Sequence, residues 1–425
     1  MNARISPDSA IPGPAPHPQA APMHTDEPAQ APPFVLPAGP LSLQQPARAG
    51  QSSATQQRGT IVDYFFRTVD AVYWSFVWVF GFFSLMVGLA VLAAIPVVQF
   101  LTLGYLLEAG GRIARTGQFR HGLPGVWKAA HVGGMFLGVY LWLLPLRMLS
   151  DLSVSAQIVD PDGPLAFRWR FALVAATVLV VLHLAAAIAR GGKLRYFAWP
   201  LNVLWLWRQF ARGGYYTRAR NAVYDFVVSL RLPYYFWLGL RGFVGGLAWL
   251  IVPVTLLAIG RRFGPVGFLG GFLLALVLLY LPFLQMRFAA QNRFRALFEV
   301  GAIREDFKRA PWCFLAALLI TLAFAVPLYL LKIEMIPREA AWLPSLVFIA
   351  FIYPARVLTG WAVGIAEHRP RRSHWFFRWT GFLPMPALTL VYVFLLFFTQ
   401  YAAWEGVWSL YQQHAFLLPV PFMSM

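Results

Sequence analysis

The sequence predicts an all-α fold, a polytopic transmembrane helical bundle with interfacial amphipathic helices. Of its 425 residues, 59% are apolar and 12% are charged, whereas ordinary soluble domains are about 45 to 50% apolar and about 25% charged. It also contains 17 Trp, 16 Tyr and 37 Phe, residues that settle where a membrane meets water. Long apolar runs recur along most of the chain and are typical of membrane spans.

The N-terminal segment has a different composition. Residues 1–60 hold 12 prolines and 11 alanines but no Trp or Tyr, so they offer too little apolar surface to offset the entropy lost on folding. We expect a disordered Pro/Ala-rich tail at 1–60 and a transmembrane helical domain at 61–425.

Eight runs are long enough to cross a bilayer, which takes about 20 apolar residues as helix. None shows the period-two alternation of a barrel strand. The predicted spans are Val72–Ile95, Gly133–Ser150, Phe171–Ala189, Phe236–Ile259, Phe263–Leu284, Trp312–Leu331, Trp342–Ile365 and Phe382–Trp404.

Residues 97–114 are a possible ninth span. Pro96 kinks or ends the preceding helix, and Glu108 would be costly in mid-bilayer. The segment could be a bent extension, a re-entrant turn or a ninth pass, and the cost of Glu108 favours an interfacial or re-entrant helix.

Basic residues alternate from one connection to the next. Residues 104–132, 190–234, 286–311 and 366–380 carry four, eight, six and four Lys or Arg residues, and the connections between them carry few. The positive-inside rule places the four basic connections in the cytoplasm. The net charge of +18 therefore indicates contact with anionic membrane lipids, and no nucleic-acid partner is expected.

Two basic stretches look amphipathic, Tyr196–Arg220 and Met286–Lys308. Both suit helices in the membrane interface, where each basic residue near an anionic surface contributes about 1 kcal/mol. The candidate contacts to anionic lipids are Arg195, Arg208, Arg212, Arg218, Arg220, Arg293 and Arg295.

Ionisable groups within spans are the candidates for a functional site. Arg356 follows Pro354 deep within its span and could bind an anionic group. His183 lies six residues from the end of its span, where a structural hydrogen bond is the alternative to a functional role.

Catalytic motifs are missing from the sequence. None of the eight predicted spans carries an Asp or Glu near its middle, which disfavours a carboxylate-coupled carrier. The motifs His-Glu-x-x-His, Gly-x-Ser-x-Gly and Gly-x-x-x-x-Gly-Lys-Ser/Thr are also absent. We predict no cofactor and no metal site, and we lean against an enzyme.

Several segments resemble uncharacterised bacterial multi-pass membrane proteins. Gly104–Leu107 with Gly111-Arg112 resembles a segment of a bacterial membrane domain of unknown function, and the similarity covers residues 61–425. It implies a bacterial cytoplasmic membrane location and supplies no activity. The other segments are Leu281–Gln285, Asn292–Ala296, Leu331–Glu334 and Pro354–Trp361.

Three functions remain open from the sequence. The first is a membrane component that binds lipids or partner proteins of unknown identity. The second is a transporter or permease subunit for a neutral or anionic substrate that passes Arg356. The third is a lipid-modifying enzyme, for which the sequence offers no acid and base pair.

Overall fold

The computed structural model describes residues 53–161, 163–199, 202–330, 342–402 and 406–412. These residues form α-helices and short 3-10 helices, and no β-strand occurs among them. The α-helices are α1 Ser53–Ala94, α2 Gln99–Thr116, α3 Val126–Val159, α4 Pro164–Ala189, α5 Leu194–Phe197, α6 Asn202–Ala211, α7 Tyr215–Ser229, α8 Leu232–Ile259, α9 Gly264–Gln291, α10 Val300–Arg309, α11 Pro311–Leu330, α12 Trp342–His368, α13 Trp375–Phe382, α14 Pro384–Ala402 and α15 Ser409–Gln412.

The chain divides into two units, Met1–Asp63 and Tyr64–Met425, and the helical bundle belongs to the second. The predicted tail at 1–60 falls mostly outside the described residues, and residues 53–60 begin α1. Residue 331, which ends one predicted span, and residues 403 and 404, which end another, also lie outside the described residues.

Seven helical stretches in the described ranges are long and apolar enough to cross a membrane, and an eighth is added if α10 and α11, bent by 113°, count as one span. These eight correspond in order to the eight predicted spans, which confirms the predicted helical bundle. The seven are Phe66–Ala94, Val126–Val159, Pro164–Ala189, Tyr216–Ile259, Gly264–Gln291, Pro344–His368 and Trp375–Phe398.

The outward faces of these helices are apolar. Phe136, Leu179 and Phe268 are each more than half exposed, and such side chains recur along whole helix faces. A soluble monomer rarely exposes apolar patches of that extent. The bundle is therefore built for a lipid environment.

Helix α2 lies at the centre of the bundle and is therefore not an interfacial helix, which was one of the two preferred predictions. The other, a re-entrant helix, stays a prediction, as does a ninth pass. Residues 102–111 are all buried. The chain reverses between α1 and α2 at Pro96 and at Val97, which has φ 68°, and Thr102 then donates a hydrogen bond to the carbonyl of Leu89 (3.0 Å).

Helix α2 runs parallel to α12. Gly110 packs against Gly360, the backbone of Ala114 lies beside Gly364, and Gly117 lies beside the ring of His368. The contacts advance together along both helices. At about 1.5 Å per residue, the 18 residues of α2 cover about 27 Å, close to the thickness of the hydrocarbon core of about 30 Å.

Glycines allow α2 to approach its neighbours closely. A Cβ at Gly104 would overlap the carbonyl of Tyr235 in α8, and a Cβ at Gly239 would overlap the carbonyl of Phe100. A Cβ at Gly360 would overlap the carbonyl of Gly110. Small residues at helix crossings permit this packing inside membranes.

The basic connections meet at one end of the bundle, which we call the basic end. Gly117 contacts His368, Lys128 donates a hydrogen bond to the carbonyl of Ser229 (2.7 Å), and the backbone N–H of Ser373 donates to the carbonyl of Lys308 (2.9 Å). The alternation seen in the sequence therefore corresponds to a physical grouping in the fold.

Both predicted amphipathic stretches are divided into shorter elements. Tyr196–Arg220 contributes to α5, α6 and α7, and Met286–Lys308 comprises the end of α9, a 3-10 helix at Phe294–Phe298 and most of α10. Met286 and Phe288 are fully buried, so the start of the second stretch is core rather than interface.

Candidate functional site

Glu108 is a buried acidic residue at the centre of the bundle, 4% exposed. Arg112 donates to its Oε1 (2.8 Å) and Arg115 donates to the same oxygen (2.9 Å). Tyr234 of α8 donates its hydroxyl to Oε2 (2.8 Å). Charge-assisted hydrogen bonds of this kind offset the cost of burying a carboxylate.

The Glu108 cluster joins three helices. Arg115 also donates to the carbonyls of Ala289 and Ala290 (3.0 and 3.1 Å), groups that the last turn of α9 leaves without helical partners. The predicted site residues do not include Glu108. The sequence signal for this cluster is the spacing of Arg112 and Arg115, four and seven residues after Glu108. Residues at these spacings share one helix face, so the three side chains can pair.

Arg356 is buried, 3% exposed, and donates a hydrogen bond to Gln285 of α9. Its backbone carbonyl accepts a hydrogen bond from the Thr359 hydroxyl (3.0 Å) and lies against Gly110. Arg356 therefore occupies the tightly packed junction of α2, α9 and α12. Its function stays a prediction.

His183 is also buried, 6% exposed. One ring nitrogen lies 3.0 Å from the carbonyl oxygen of Phe197, which also accepts a hydrogen bond from the indole of Trp142 (2.8 Å). The His183 and Trp142 ring centroids are 4.3 Å apart. These contacts join α3, α4 and α5 and give His183 a structural role, and a functional role stays a prediction.

The seven arginines predicted to contact lipids are all exposed. Arg195 donates to the hydroxyl of Tyr196 (3.1 Å), and this hydrogen bond lowers the pKa of that phenol. Arg218 donates to the carbonyls of Gly213 and Gly214 (3.3 and 3.4 Å). Neither arginine is paired with a carboxylate among the described residues.

The remaining predicted arginines are similarly accessible. Arg220 donates to Asn221 (3.3 Å), and Arg293 lies 3.9 Å from Glu299. That distance is long for an ion pair, so the charge of Arg293 is only weakly compensated. Contact of this set with lipid headgroups stays a prediction. The others are Arg208, Arg212 and Arg295.

Arg287 is the centre of a second ionic cluster that the predicted site residues do not include. It contacts Glu299 (3.2 Å), Asp306 (3.3 Å) and Glu367 (3.4 Å). Arg309 approaches Asp306 from another side (3.7 Å). The cluster joins α9, α10 and α12 at the basic end.

One cavity lies between α3 and α4 and has a volume of about 510 Å³. Leucines form half of its wall, and Arg147 and Ser150 are among the residues that supply polar groups. Leu143 and Leu144 are exposed, so this cavity is an open apolar groove on the lipid-facing side.

A second cavity, which we call the basic cavity, has a volume of about 540 Å³. It lies between α9, α10, α11, α13 and α14, and three cations contribute to its wall without any acidic residue. Its lining residues are Leu279, Tyr280, Ile303, Arg304, Phe307, Lys308, Phe314, Arg378, Trp379, Phe382 and Met385. Arg356 lines neither cavity.

Within the described ranges, no group of three His, Cys, Asp or Glu side chains could hold a metal ion. The chain matches no protein-family model, no curated protein and no solved structure. The fold and its sites define a multi-pass helical membrane protein.

Proposed function

We propose that this protein is a membrane component that binds anionic lipids at its basic end, with unknown protein partners. The exposed arginines of α5, α6 and α7 carry the proposal, because they have apolar and aromatic neighbours such as Trp207 and Tyr216, 76% and 73% exposed. Aromatic rings at headgroup depth and cations beside anionic headgroups both favour binding to the membrane interface. Together with the sequence resemblance, they support a bacterial cytoplasmic membrane as the location.

Helix α7 is especially suited to this role. Arg218 and Arg220 lie near its start, and Tyr224, Val227 and Val228 are exposed further along. A helix with a basic end and an uncovered apolar part can lie in the interface of a leaflet.

The transporter alternative requires a substrate path at Arg356. Arg356 instead lies where Gly110 and Gly360 bring α2 and α12 into backbone contact, and its guanidinium is engaged with Gln285. This packing favours the lipid-binding proposal over the transporter. No observation in the described part of the chain favours the lipid-modifying enzyme.

The test is thermal unfolding of purified protein in neutral detergent, with added phosphatidylglycerol or phosphatidylcholine. A variant with Arg208, Arg212, Arg218 and Arg220 changed to Gln removes the exposed charges, and Arg261→Gln with Arg262→Gln is the control in the α8–α9 turn. A ligand that binds only the folded state stabilises it by RT ln(1 + [L]/Kd).

We expect phosphatidylglycerol to raise the melting temperature of the wild type and the control, with a gain that shrinks at high salt. The quadruple variant should lose most of this gain. An equal gain from phosphatidylcholine, or an undiminished gain in the quadruple variant, would contradict the proposal.

A further inference from the structure

The basic cavity combines uncompensated positive charge with an apolar floor. We propose that it binds one anionic phospholipid, with the phosphate held by Arg304 and Arg378 and an acyl chain against the floor. This inference rests on the proposed function, which it deepens by assigning a discrete site at the basic end.

Arg378 of α13 supplies the first part of the argument. Its Nε is buried and has no hydrogen-bond partner among the described residues. A buried donor without an acceptor is costly, and the cost is greater when the group is charged. An anionic oxygen in the cavity would remove this cost.

Arg304 of α10 supplies a second cation. It donates to the hydroxyl of Tyr280 (3.2 Å), and its guanidinium carbon lies 5.7 Å from the centre of that ring. In the part of the chain that the structure describes, an aromatic residue rather than a carboxylate holds this guanidinium in place. Its charge therefore remains available to a ligand.

The nearby carboxylates are already engaged elsewhere. Glu305 pairs with Lys308 (2.6 Å) and with Arg372 (2.9 Å). Asp306 pairs with Arg287 (3.3 Å). Neither carboxylate lines the cavity. The charges of Arg304 and Arg378 can therefore be neutralised by an anionic ligand.

The apolar part of the cavity identifies the ligand as a lipid. Ile303, Phe314 and Met385 form a floor and are at most 2% exposed. Trp379 and Phe382 are 63% and 42% exposed, as expected for side chains that face the bilayer. The volume falls within the range of about 300 to 1,000 Å³ of ligand sites, and an acyl chain could enter from the membrane side.

The experiment measures phosphatidylglycerol bound to the purified full-length protein by native mass spectrometry, with phosphatidylcholine for comparison. Arg304→Gln with Arg378→Gln removes the proposed phosphate contacts. Arg369→Gln with Arg371→Gln is the matched control, because it removes the same charge from exposed residues at the basic end that do not line the cavity.

We expect the cavity variant to bind phosphatidylglycerol about tenfold or more weakly, since each lost charge-assisted hydrogen bond is worth about that factor. The control should bind as the wild type does. Arg378→Lys keeps the positive charge and should bind phosphatidylglycerol more tightly than Arg378→Gln. This comparison separates loss of the charge from loss of binding through misfolding.

Two results would overturn the site. One is unchanged binding in the cavity variant, and the other is equally tight binding of phosphatidylcholine. Displacement of the lipid by glycerol phosphate at equal concentration would also contradict the proposal, because it would show that the acyl chain contributes nothing.

The quadruple variant at Arg208, Arg212, Arg218 and Arg220 separates this site from the general function. If that variant loses stabilisation by anionic lipid while the cavity variant does not change lipid binding, the proposed function stands and the site fails. If phosphatidylglycerol neither stabilises the protein nor binds it, both proposals fail.

Discussion

Glu108 shows how one charged side chain can be stable at the centre of a membrane bundle. Its two oxygens accept hydrogen bonds from Arg112, Arg115 and Tyr234, so the carboxylate is neutralised within α2 and connected to α8. Loss of the carboxylate would leave two guanidiniums without their acceptor, while loss of either arginine leaves one partner in place.

We therefore expect Glu108→Gln to destabilise the protein. Breaking a buried ion pair costs about 3 to 5 kcal/mol, but Arg112 and Arg115 are 34% and 39% exposed, and solvent screening lowers the expected cost to about 2 kcal/mol. The measurement is thermal unfolding in detergent, with the exposed Asp225→Asn as control. Equal stability of the two variants would contradict this role of Glu108.

His183 allows a second test at this scale. We expect His183→Ala to lower the free energy of unfolding by about 1 to 3 kcal/mol, because it removes a buried hydrogen-bonding group and its contact with Trp142. Anionic-lipid binding, measured on the folded protein, should not change. Loss of binding without loss of stability would instead support the functional role that the sequence leaves open.

Arg356 and His183 could be selected from the sequence as candidate functional residues, because ionisable groups are rare within membrane spans. The Glu108 partners were harder to predict, since Tyr234 is far from Glu108 along the chain. The basic cavity was beyond prediction for the same reason, because Arg304 and Arg378 meet only through the packing of α10 and α13.

Among the elements, α2 depends most on small residues. Its contacts with α8 and α12 are made through backbone atoms at Gly104, Gly239 and Gly360. Backbone cannot retract as a flexible side chain can, so an added methyl group there must separate the helices.

Gly104→Ala should consequently destabilise the bundle, by about 1 to 3 kcal/mol as for overpacked cores. Gly88→Ala is the matched control, because Gly88 lies in helix α1 and a Cβ there meets nothing within 4 Å. The control should be neutral or slightly stabilising, since Ala favours helix over Gly. Unfolding temperatures measured side by side check this, and a stable Gly104→Ala protein would contradict the close contact.

Helices with strong apolar runs were the easiest elements to predict, and each of the eight predicted apolar runs corresponds to a helical stretch of the described chain. The burial of α2 was not predicted. Glu108, Arg112 and Arg115 lower its mean hydropathy, and a hydropathy average takes no account of the ion pairs between them. The stretch Met286–Lys308 was divided by the turn at Asn292, whose φ of 53° ends α9.

At the scale of the whole molecule, the direction of the helices agrees with the grouping of the basic connections at one end. Trp74 packs on Trp127 (5.1 Å between ring centroids), and Gly81 and Gly133 continue the contact between α1 and α3, which therefore run parallel. Two parallel consecutive spans require a crossing between them, and α2 has the length and the central position for it. We expect nine crossings, with Tyr64 at the basic end.

The most direct test of this arrangement is the labelling of single cysteines from one side of a sealed membrane. The background is Cys313→Ser, and the probes are Tyr64→Cys, Gln118→Cys and Arg262→Cys. We predict that residues 64 and 118 react from the same side and residue 262 from the other. Labelling of residues 64 and 118 from opposite sides would show that α2 does not cross, and would contradict the account.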